Sequence, residues 1–467
     1  MGEIQVVTNV RENALNMTPT NSANPPRLDR CDRQNVWAYY HRAWHLEDHL
    51  WQSLVGTEPF YLNPDSLRNL LIFYLGHSAA FYINKLLQVG LLEKPLNPVY
   101  EERFAVGVDP EKPQEIEGKF AQLRAVELAS VWQYRQTVYN HIADLIQRTD
   151  FAISINSNHP LWALMMAIEH QYIHIETSSV LIRQLPAAVL RCPDGWKYYP
   201  DDGYTRLNEW ISVPGGTVHL GKSPNSSTYG WDIEYGARTI QVEPFQVNKY
   251  LITNADFLEF IKAGGYENPV YWTATAWEWK TQQNINHPKF WVPDRQFSDS
   301  YQYRAMFDEI EMPFNYPVEV NYYEAIAYCH WYNEQTGQNA RLMTEIEWHR
   351  VTYGLQSSGQ VVSDYNLNLQ WGSPNPVGTI ETAQNAIGIC DLRGNVWEWL
   401  SDHLTPLSGY EPHPLYEDYS APYFDNQHQM MAGGSWVTCG TQALPYYRNW
   451  FRPNFYQHAG FRLAQPG

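Results

Sequence analysis

Apolar and aromatic residues recur at spacings of three and four between residues 36 and 185, as in the series Tyr74, His77 and Phe81. This spacing places apolar side chains on one face of a helix, for burial against other helices. The four segments with this pattern lie near 35–55, 65–91, 114–148 and 159–185. Asp65 is the expected N-cap of the second helix. The pattern predicts a four-helix bundle over residues 31–186, a fold that often builds metal sites from inward-facing side chains.

A different pattern follows Pro186, which is expected to end the fourth helix. Residues 187–208 are rich in turn formers and are predicted to be a linker. Over residues 209–467, short apolar runs such as ISVPGGTVHLG, TIQVEPFQVNKYLIT and GGSWVTC alternate with Gly, Pro and Asn, which predicts strands. Only residues 253–263 and 322–336 have a convincing helical pattern. The chain is therefore predicted to be α in its first half and loop-rich α+β in its second.

Charge and composition exclude some classes of function. The 467 residues include 32 Lys and Arg against 50 Asp and Glu, a formal net charge of −18, and they contain no basic run. Binding to nucleic acid is therefore not expected. No apolar stretch is long enough to cross a membrane. Phe, Trp and Tyr make up 15% of the chain, so aromatic side chains are expected at its binding surfaces.

The N-terminus and the cysteines bear on the cellular compartment. Residues 1–30 lack the apolar segment of a signal peptide and are rich in Asn, Thr and Pro, which predicts a mostly disordered tail. The five cysteines lie far apart without a CxxC spacing. This pattern argues against a disulfide framework and a Cys-ligated zinc site, and it favours a reducing cytoplasm.

Three histidines form a candidate metal site. His170 and His174 are four residues apart in EHQYIHIETSS, so on a helix they lie one turn apart on the same face. His77 lies in the apolar stripe LIFYLGHSAAFYI, where a neutral imidazole needs a partner. Each histidine alone is also consistent with a hydrogen-bonded side chain inside a bundle, but together they predict one metal ion. Glu176 points about 200° away from His174 around the helix, so it is predicted to support the ligands rather than bind the ion.

A second histidine series competes with the first. His41, His45 and His49 also recur at a spacing of four, but Glu47 and Asp48 beside them indicate a solvated face. Spacing does not identify the metal. Three imidazoles with open positions suit zinc with a bound water, and they also suit non-haem iron that binds dioxygen.

At these residues the sequence resembles the iron-dependent sulfoxide synthases of ergothioneine and ovothiol biosynthesis, over about residues 31–465. GHSAAFYI and HQYIHIETSSVLIRQLP resemble the iron-ligand motifs of the DinB-type bundle in that family. The second half resembles its formylglycine-generating-enzyme-like domain, which is related to C-type lectins. The motifs that carry this second resemblance are VPGGTVHLG, PVEVNYYEAIAYCHWYNEQTGQNARLMTEIEWHR, GNVWEW, GGSW and HAGFRLA. GNVWEW and GGSW alone indicate only a scaffold, whereas the conjunction of both halves is specific.

The resemblance implies an enzyme that forms a carbon–sulfur bond by oxidation. Fe(2+) would be held by His77, His170 and His174 and would bind a thiol and an imidazole substrate. Dioxygen then couples the sulfur to an imidazole carbon and oxidises it to a sulfoxide. The expected small-molecule substrates are cysteine, hercynine (trimethylhistidine) or histidine, and O2.

The resemblance also implies substrate-binding residues. The run expected to contact the substrates is Arg448, Asn449, Trp450, Phe451 and Arg452. Asn449 is expected to bind the amino-acid end of the imidazole substrate, and Trp450 its trimethylammonium group through cation–π attraction. Phe451 replaces an aspartate that helps to hold γ-glutamyl-cysteine in the ergothioneine branch, so the expected thiol donor is free cysteine. Arg103, after the second helix, is expected to pair with the cysteine carboxylate.

Two further departures bear on the imidazole substrate. The tyrosine that the family carries after GNVWEW is displaced, and Tyr410 is its nearest substitute as a catalytic residue. The sequence ends at Gly467, without the methyltransferase domain into which ovothiol enzymes commonly continue. Both departures favour hercynine, with histidine as the alternative.

Functions of other classes also stay open. A non-catalytic lectin-like binding module would leave the three histidines unexplained. Formylglycine generation relies on cysteines close to the C-terminus, and none follows Cys439. A zinc- or nickel-dependent thiol transferase with a DinB-type bundle would consume no oxygen.

Overall fold

The computed structural model describes residues 24–105, 107, 110, 112–151, 153–294, 300–352 and 364–467. Most of the tail predicted over residues 1–30 lies outside the described residues. The last part of this segment is packed, because Leu28 is buried. Its N–H donates to the carbonyl of Ser227, and its carbonyl accepts from the N–H of Ile155.

The first half of the chain is helical. Its helices in the described residues are α1 (Arg33–Trp51), α2 (Leu71–Gln88), α3 (Pro98–Arg103), α4 (Gln114–Arg124), α5 (Leu128–Arg148) and α6 (Leu161–Arg183). The long helices α1, α2, α5 and α6 pack against one another as a bundle. Asp32 begins α1, because its side chain accepts from the N–H groups of Gln34 and Asn35.

Two details of the predicted bundle were wrong. Asp65 does not cap the second helix. Its carboxylate accepts from the N–H of Leu67 in a turn, and α2 begins only at Leu71. The helix predicted over residues 114–148 is two helices, because α4 ends at Arg124 and α5 begins after a break.

The second half is α+β. Its helices are α7 (Asn254–Lys262), α8 (Ala274–Gln282), α9 (Tyr322–Thr336) and α10 (Glu345–Thr352). Its strands are β1 (Trp210–Val213), β2 (Gly216–Leu220), β3 (Arg238–Val242), β4 (Phe245–Asn248), β5 (Trp291–Pro293), β6 (Tyr301–Arg304), β7 (Glu309–Glu311), β8 (Arg341–Leu342), β9 (Trp397–His403), β10 (Gln429–Ala432), β11 (Asn449–Phe451), β12 (Ala459–Gly460) and β13 (Leu463–Pro466). The two larger sheets have the orders β1-β4-β13-β8 and β11-β10-β9-β12, and smaller sheets are formed by β2-β3 and β5-β6-β7.

The second half differs from its prediction in three places. Helices α8 and α10 were not expected. The run GGSWVTC was expected to be a strand, but Gly433 and Gly434 have φ of 100° and 83° and the segment forms a turn after β10. Such backbone angles favour glycine over other residues and end the strand there.

Helix α6 joins the two halves of the molecule. It is buried along almost its whole length. Arg183 at its C-terminal end pairs with Glu319 of the second half, at 2.6 and 2.8 Å. Its middle turns carry His170 and His174, which therefore lie where the bundle meets the α+β half. The division into domains over 31–186 and 209–467 stays a prediction.

The expectations about disulfide bonds and about membrane-spanning segments can be compared with the structure. All five cysteines are free thiols, as the absence of a disulfide framework requires. Among the described residues, no helix combines the length and the apolar character needed to cross a bilayer.

Candidate active site

The structure brings His77, His170 and His174 together. One ring nitrogen of each lies within 4.8 Å of the others, and the Nε2 atoms of His170 and His174 are 3.2 Å apart. Two nitrogens bound at a right angle, each about 2.1 Å from an ion, would be about 3 Å apart. The three rings therefore fit one metal ion.

Hydrogen bonding sets the orientation of His77. Its Nδ1 lies 2.5 Å from the carbonyl of Phe104, so Nδ1–H donates there and Nε2 keeps its lone pair for a ligand. Gly76 makes this contact possible, because a Cβ there would lie 2.6 Å from the Phe104 ring. The Nδ1 atoms of His170 and His174 have no hydrogen-bond partner among the described residues.

Burial keeps the three imidazoles neutral. It lowers the pKa of His77 to about 4. Burial also lowers the pKa of His170 and His174 well below the usual value, and the neighbouring histidines add to this effect because charges of like sign repel. Neutral imidazole is the form that binds a metal, so the site needs no deprotonation at pH 7.

A pocket of about 730 Å³ leads to the histidines. His174 and Phe81 lie in its wall, and the Phe81 ring stacks on His170 with ring centres 3.5 Å apart. The wall also includes the charged residues Arg68, Lys85, Glu101, Glu102 and Asp418, Asn449, and the aromatic residues Tyr74, Tyr416, Tyr419, Tyr423, Tyr447, Trp450 and Phe451. Aromatic side chains are thus the largest group in the wall, which also carries charged groups of both signs.

The predicted substrate run is divided between the pocket and the core. Asn449, Trp450 and Phe451 line the pocket. Arg448 is buried behind them and forms two hydrogen bonds with Glu345, at 2.5 and 3.0 Å. Arg452 does not line the pocket, and its guanidinium donates to Gln427. Arg448 therefore supports β11 from within the core.

The structure places two other predicted residues away from the pocket wall. Arg103 is not among the lining residues, although Glu101 and Glu102 of the same helix are. The carboxylate of Glu176 faces the second half, where it accepts hydrogen bonds from Trp397, Ser435 and Thr438. We interpret Glu176 as a contact between the halves rather than as a partner of the ligand histidines.

Tyr410 lies in a separate hydrogen-bond network. Its hydroxyl donates to Asp232 at 3.1 Å and lies 2.9 Å from the Ser420 hydroxyl. Tyr416, six residues further along the same loop, lines the pocket instead, and its ring centre is 6.2 Å from that of His170. The Tyr416 hydroxyl has no hydrogen-bond partner among the described residues.

The competing series does not form a ligand set. Within the described part of the chain, His77, His170 and His174 are the one group of three with metal-binding geometry. His41 bonds through Nδ1 to the Tyr139 hydroxyl at 2.8 Å, and its ring contacts His45. The solvated face expected there was wrong at Glu47, which is fully buried and pairs with Arg135 at 3.1 Å.

The pocket contains residues that the sequence did not single out. Arg68, Lys85 and Tyr416 are the main ones. Lys85 could have been found from its spacing, because it lies eight residues after His77 and four after Phe81 on α2. Tyr416 lies in an irregular loop, whose path carries no periodic signal.

Comparisons with known proteins agree with this architecture. Residues 199–466 match the family described as sulfatase-modifying factor enzyme 1-like domain. The protein named hercynine oxygenase from Mycolicibacterium thermoresistibile is 28% identical over 86% of this chain and 88% of its own length. The hercynine oxygenase of Mycolicibacterium smegmatis is 32% identical over 54% of this chain and 60% of its own length.

A fungal relative extends the comparison. Ergothioneine biosynthesis protein 1 of Neurospora crassa is 23% identical over 94% of this chain, which covers 58% of that protein. The names of these relatives confirm the resemblance to the ergothioneine and ovothiol sulfoxide synthases. Because the family match includes more than half of the residues, the chain belongs to the sulfatase-modifying factor enzyme 1-like family.

Proposed function

We propose that this protein is a non-haem iron, O2-dependent sulfoxide synthase that joins the sulfur of cysteine to the imidazole of hercynine. The reaction belongs to ergothioneine biosynthesis and takes place in a reducing cytoplasm, and the helical half is a DinB-type bundle. The observation that carries the proposal is the convergence of three buried, neutral imidazoles at an aromatic pocket.

The reaction balances with dioxygen as the oxidant. The thiol loses its hydrogen, the ring carbon loses its hydrogen, and a carbon–sulfur bond forms. One oxygen atom is retained on sulfur and the other leaves as water. Fe(2+), held by His77, His170 and His174, would supply the activation of dioxygen and positions for thiolate and imidazole. The protein holds the ligand rings in place by packing, with Phe81 on His170 and Phe73 on His77.

An aromatic cluster in the pocket favours hercynine over histidine. Trp450 lies 5.5 Å from Tyr419 and 5.6 Å from Tyr423 between ring centres, and all three line the pocket. A trimethylammonium group has no N–H to donate and gains about 0.5–2 kcal/mol from an aromatic face. The primary ammonium of histidine donates hydrogen bonds and is more strongly hydrated, so this wall suits it less well.

Competition between the two imidazole substrates tests the function. With cysteine, O2 and iron-loaded protein, we expect a higher kcat/KM for hercynine, with sulfur on the carbon between the ring nitrogens. Oxygen consumption gives the rates, and NMR of the product gives the position of the bond. Trp450→Leu is expected to reduce the preference by about 2- to 30-fold, the range of one cation–π contact.

Other outcomes lead to other functions. A preference for histidine with coupling at the other ring carbon would assign the chain to the ovothiol branch. Absence of oxygen consumption and of stoichiometric iron would favour a binding module, and turnover without oxygen a thiol transferase.

We propose that Tyr416 rather than Tyr410 acts on the reacting groups, because Tyr416 lines the pocket and its ring centre is 6.2 Å from that of His170. Tyr416→Phe removes a hydroxyl from the pocket wall near His170, and we expect kcat to fall about 100-fold or more, the effect of losing a positioned proton donor. Tyr410→Phe is the matched control, because it removes a hydroxyl bound to Asp232 outside the pocket. Its kcat is expected to change less than about 3-fold. A reversed order of the two effects would return the role to Tyr410.

A further inference from the structure

Lys85 places an ammonium group in the pocket wall close to the histidines. It follows His77 by two turns and Phe81 by one on the same face of α2. Its Nζ lies 5.0 Å from the centre of the Phe81 ring and 4.5 Å from that of Tyr416, and it donates to the carbonyl of Leu415. Since Phe81 stacks directly on His170, one aromatic ring separates the ammonium from the candidate metal ligands.

The ammonium of Lys85 is buried in the pocket wall without a direct ion pair among the described residues. Lys85 is 8% exposed, and among the described residues no carboxylate forms an ion pair with it. Burial lowers its pKa to about 8, and the negative charge of Asp418 opposes that effect. At pH 7 Lys85 is therefore mostly charged. Asp418 also lines the pocket, but it forms no ion pair with Lys85, so the ammonium can still pair with an anionic ligand.

The proposed substrates each carry one α-carboxylate, and the described wall of the pocket contains one Arg and one Lys. Arg68 lies 5.6 Å from the centre of the Phe451 ring, and it lines the same pocket as Trp450 and the aromatic cluster. In hercynine the trimethylammonium and the carboxylate share one carbon, so with the ammonium at Trp450 we assign the carboxylate to Arg68, the cation that lies over the adjacent residue Phe451. Lys85, between Phe81 and Tyr416, is left for the other substrate.

We propose that Lys85 binds the α-carboxylate of the thiol donor and so selects thiols that carry a carboxylate near the sulfur. This inference rests on the proposed function and assigns to Lys85 the contact that the sequence had suggested for Arg103. Lys85 is thus a substrate-binding residue. Arg68 would bind the carboxylate of hercynine, and Lys85 would bind the carboxylate of the thiol donor.

Three thiols separate the carboxylate contact from other effects. Cysteine has both an amine and a carboxylate, 3-mercaptopropionate lacks the amine, and cysteamine lacks the carboxylate. Binding of each to iron-loaded protein without oxygen is measured by calorimetry, and KM and kcat are measured with oxygen. We expect Lys85→Met to weaken the binding of cysteine and of 3-mercaptopropionate by about 10- to 100-fold, since a hydrogen bond to a charged group is lost. The binding of cysteamine, which has no carboxylate, should weaken by less than about 3-fold.

Two further variants complete the experiment. Lys85→Arg retains the positive charge and is expected to recover part of the carboxylate preference. Lys262→Met, at an exposed lysine of α7, is the matched control and is expected to bind all three thiols as the unchanged protein does. If Lys85→Met does not fold, the affinities of the three thiols for the unchanged protein and for Lys85→Arg still show whether Lys85 binds the carboxylate.

The outcomes separate this inference from the proposed reaction. Equal weakening of all three thiols by Lys85→Met, or equal binding of all three by the unchanged protein, would overturn the role of Lys85. Carboxylate-dependent binding without coupled product would contradict the proposed reaction and leave the role of Lys85 supported.

Discussion

Replacing His170 with alanine is expected to remove most of the iron and the oxygen-dependent activity while the fold persists. The variant leaves two imidazoles, His77 and His174, where three had converged within 4.8 Å. Changes to residues that only support a metal ligand cost about 10–100-fold in affinity, so loss of a ligand itself should cost at least 100-fold. Metal content by elemental analysis of protein reconstituted with Fe(2+) without oxygen measures the effect.

Two controls make this result specific. His141→Ala removes an exposed histidine of α5 whose one hydrogen bond among the described residues is to the carbonyl of Thr137. His45→Ala removes a member of the competing series on α1. Both variants are expected to keep about one iron per chain. Full occupancy in His170→Ala, or loss of iron in His45→Ala, would show that the ion is held elsewhere.

The ligand set was accessible to sequence reasoning because helical geometry is local. A spacing of four places His170 and His174 on one face, and the helix predicted near 159–185 is α6, Leu161–Arg183. His77 followed from its apolar surroundings on α2. In each case the side-chain direction depends only on neighbouring residues in the chain.

The environment of a polar residue was much less predictable, because it depends on a distant partner. Glu47 was expected in a solvated face, yet Arg135 of α5 and Ser78 of α2 bind its carboxylate in the core. The carboxylate of Glu176 has its partners more than 200 residues away, Trp397 on β9 and Ser435 and Thr438 in the turn after β10. No spacing within one helix encodes such contacts.

Pocket residues that lie in loops were also hard to predict from the sequence. The position of Tyr410 along the chain after GNVWEW predicts a catalytic tyrosine there, but the loop after β9 turns so that Tyr416 lies in the pocket. An irregular segment has no repeat from which its path can be predicted. Position along such a loop therefore says little about position in space.

Arg183→Met is expected to lower the free energy of unfolding by about 3–5 kcal/mol, the cost of breaking a buried ion pair by removing one partner. Arg183 and Glu319 are each 1% exposed, and the guanidinium also donates to the carbonyl of Arg304 and lies 3.7 Å over the Phe290 ring. Removing Arg183 leaves the buried carboxylate of Glu319 with Tyr303 and His458 as its remaining partners among the described residues. Urea unfolding followed by circular dichroism measures the loss.

A surface pair provides the control for Arg183. Arg148 and Asp144 form an ion pair on α5 with side chains 70% and 63% exposed, so Arg148→Met should cost less than about 0.5 kcal/mol. Glu319→Gln added to Arg183→Met is expected to recover stability, because it removes the stranded charge. A loss for Arg183→Met no larger than for Arg148→Met would contradict the assigned role.

The ion pair of Arg183 and Glu319 also makes the stability of the fold depend on pH. Burial disfavours the charge of Glu319, but Arg183 and His458 outweigh burial and lower its pKa from 4.5 to about 2. A group whose pKa is lower in the folded state stabilises the fold fully above its unfolded pKa, and its contribution is lost as the pH falls through the folded pKa.

The stability gained from Glu319 is therefore complete above about pH 4.5 and declines toward pH 2. Since Arg183 is the main group that lowers this pKa, Arg183→Met should lose the fall in stability toward pH 2, and protonation of Glu319 should restore part of the variant's stability as the pH falls. An unchanged pH profile in the variant would mean that Arg183 does not hold the charge of Glu319 at the junction between α6 and the second half.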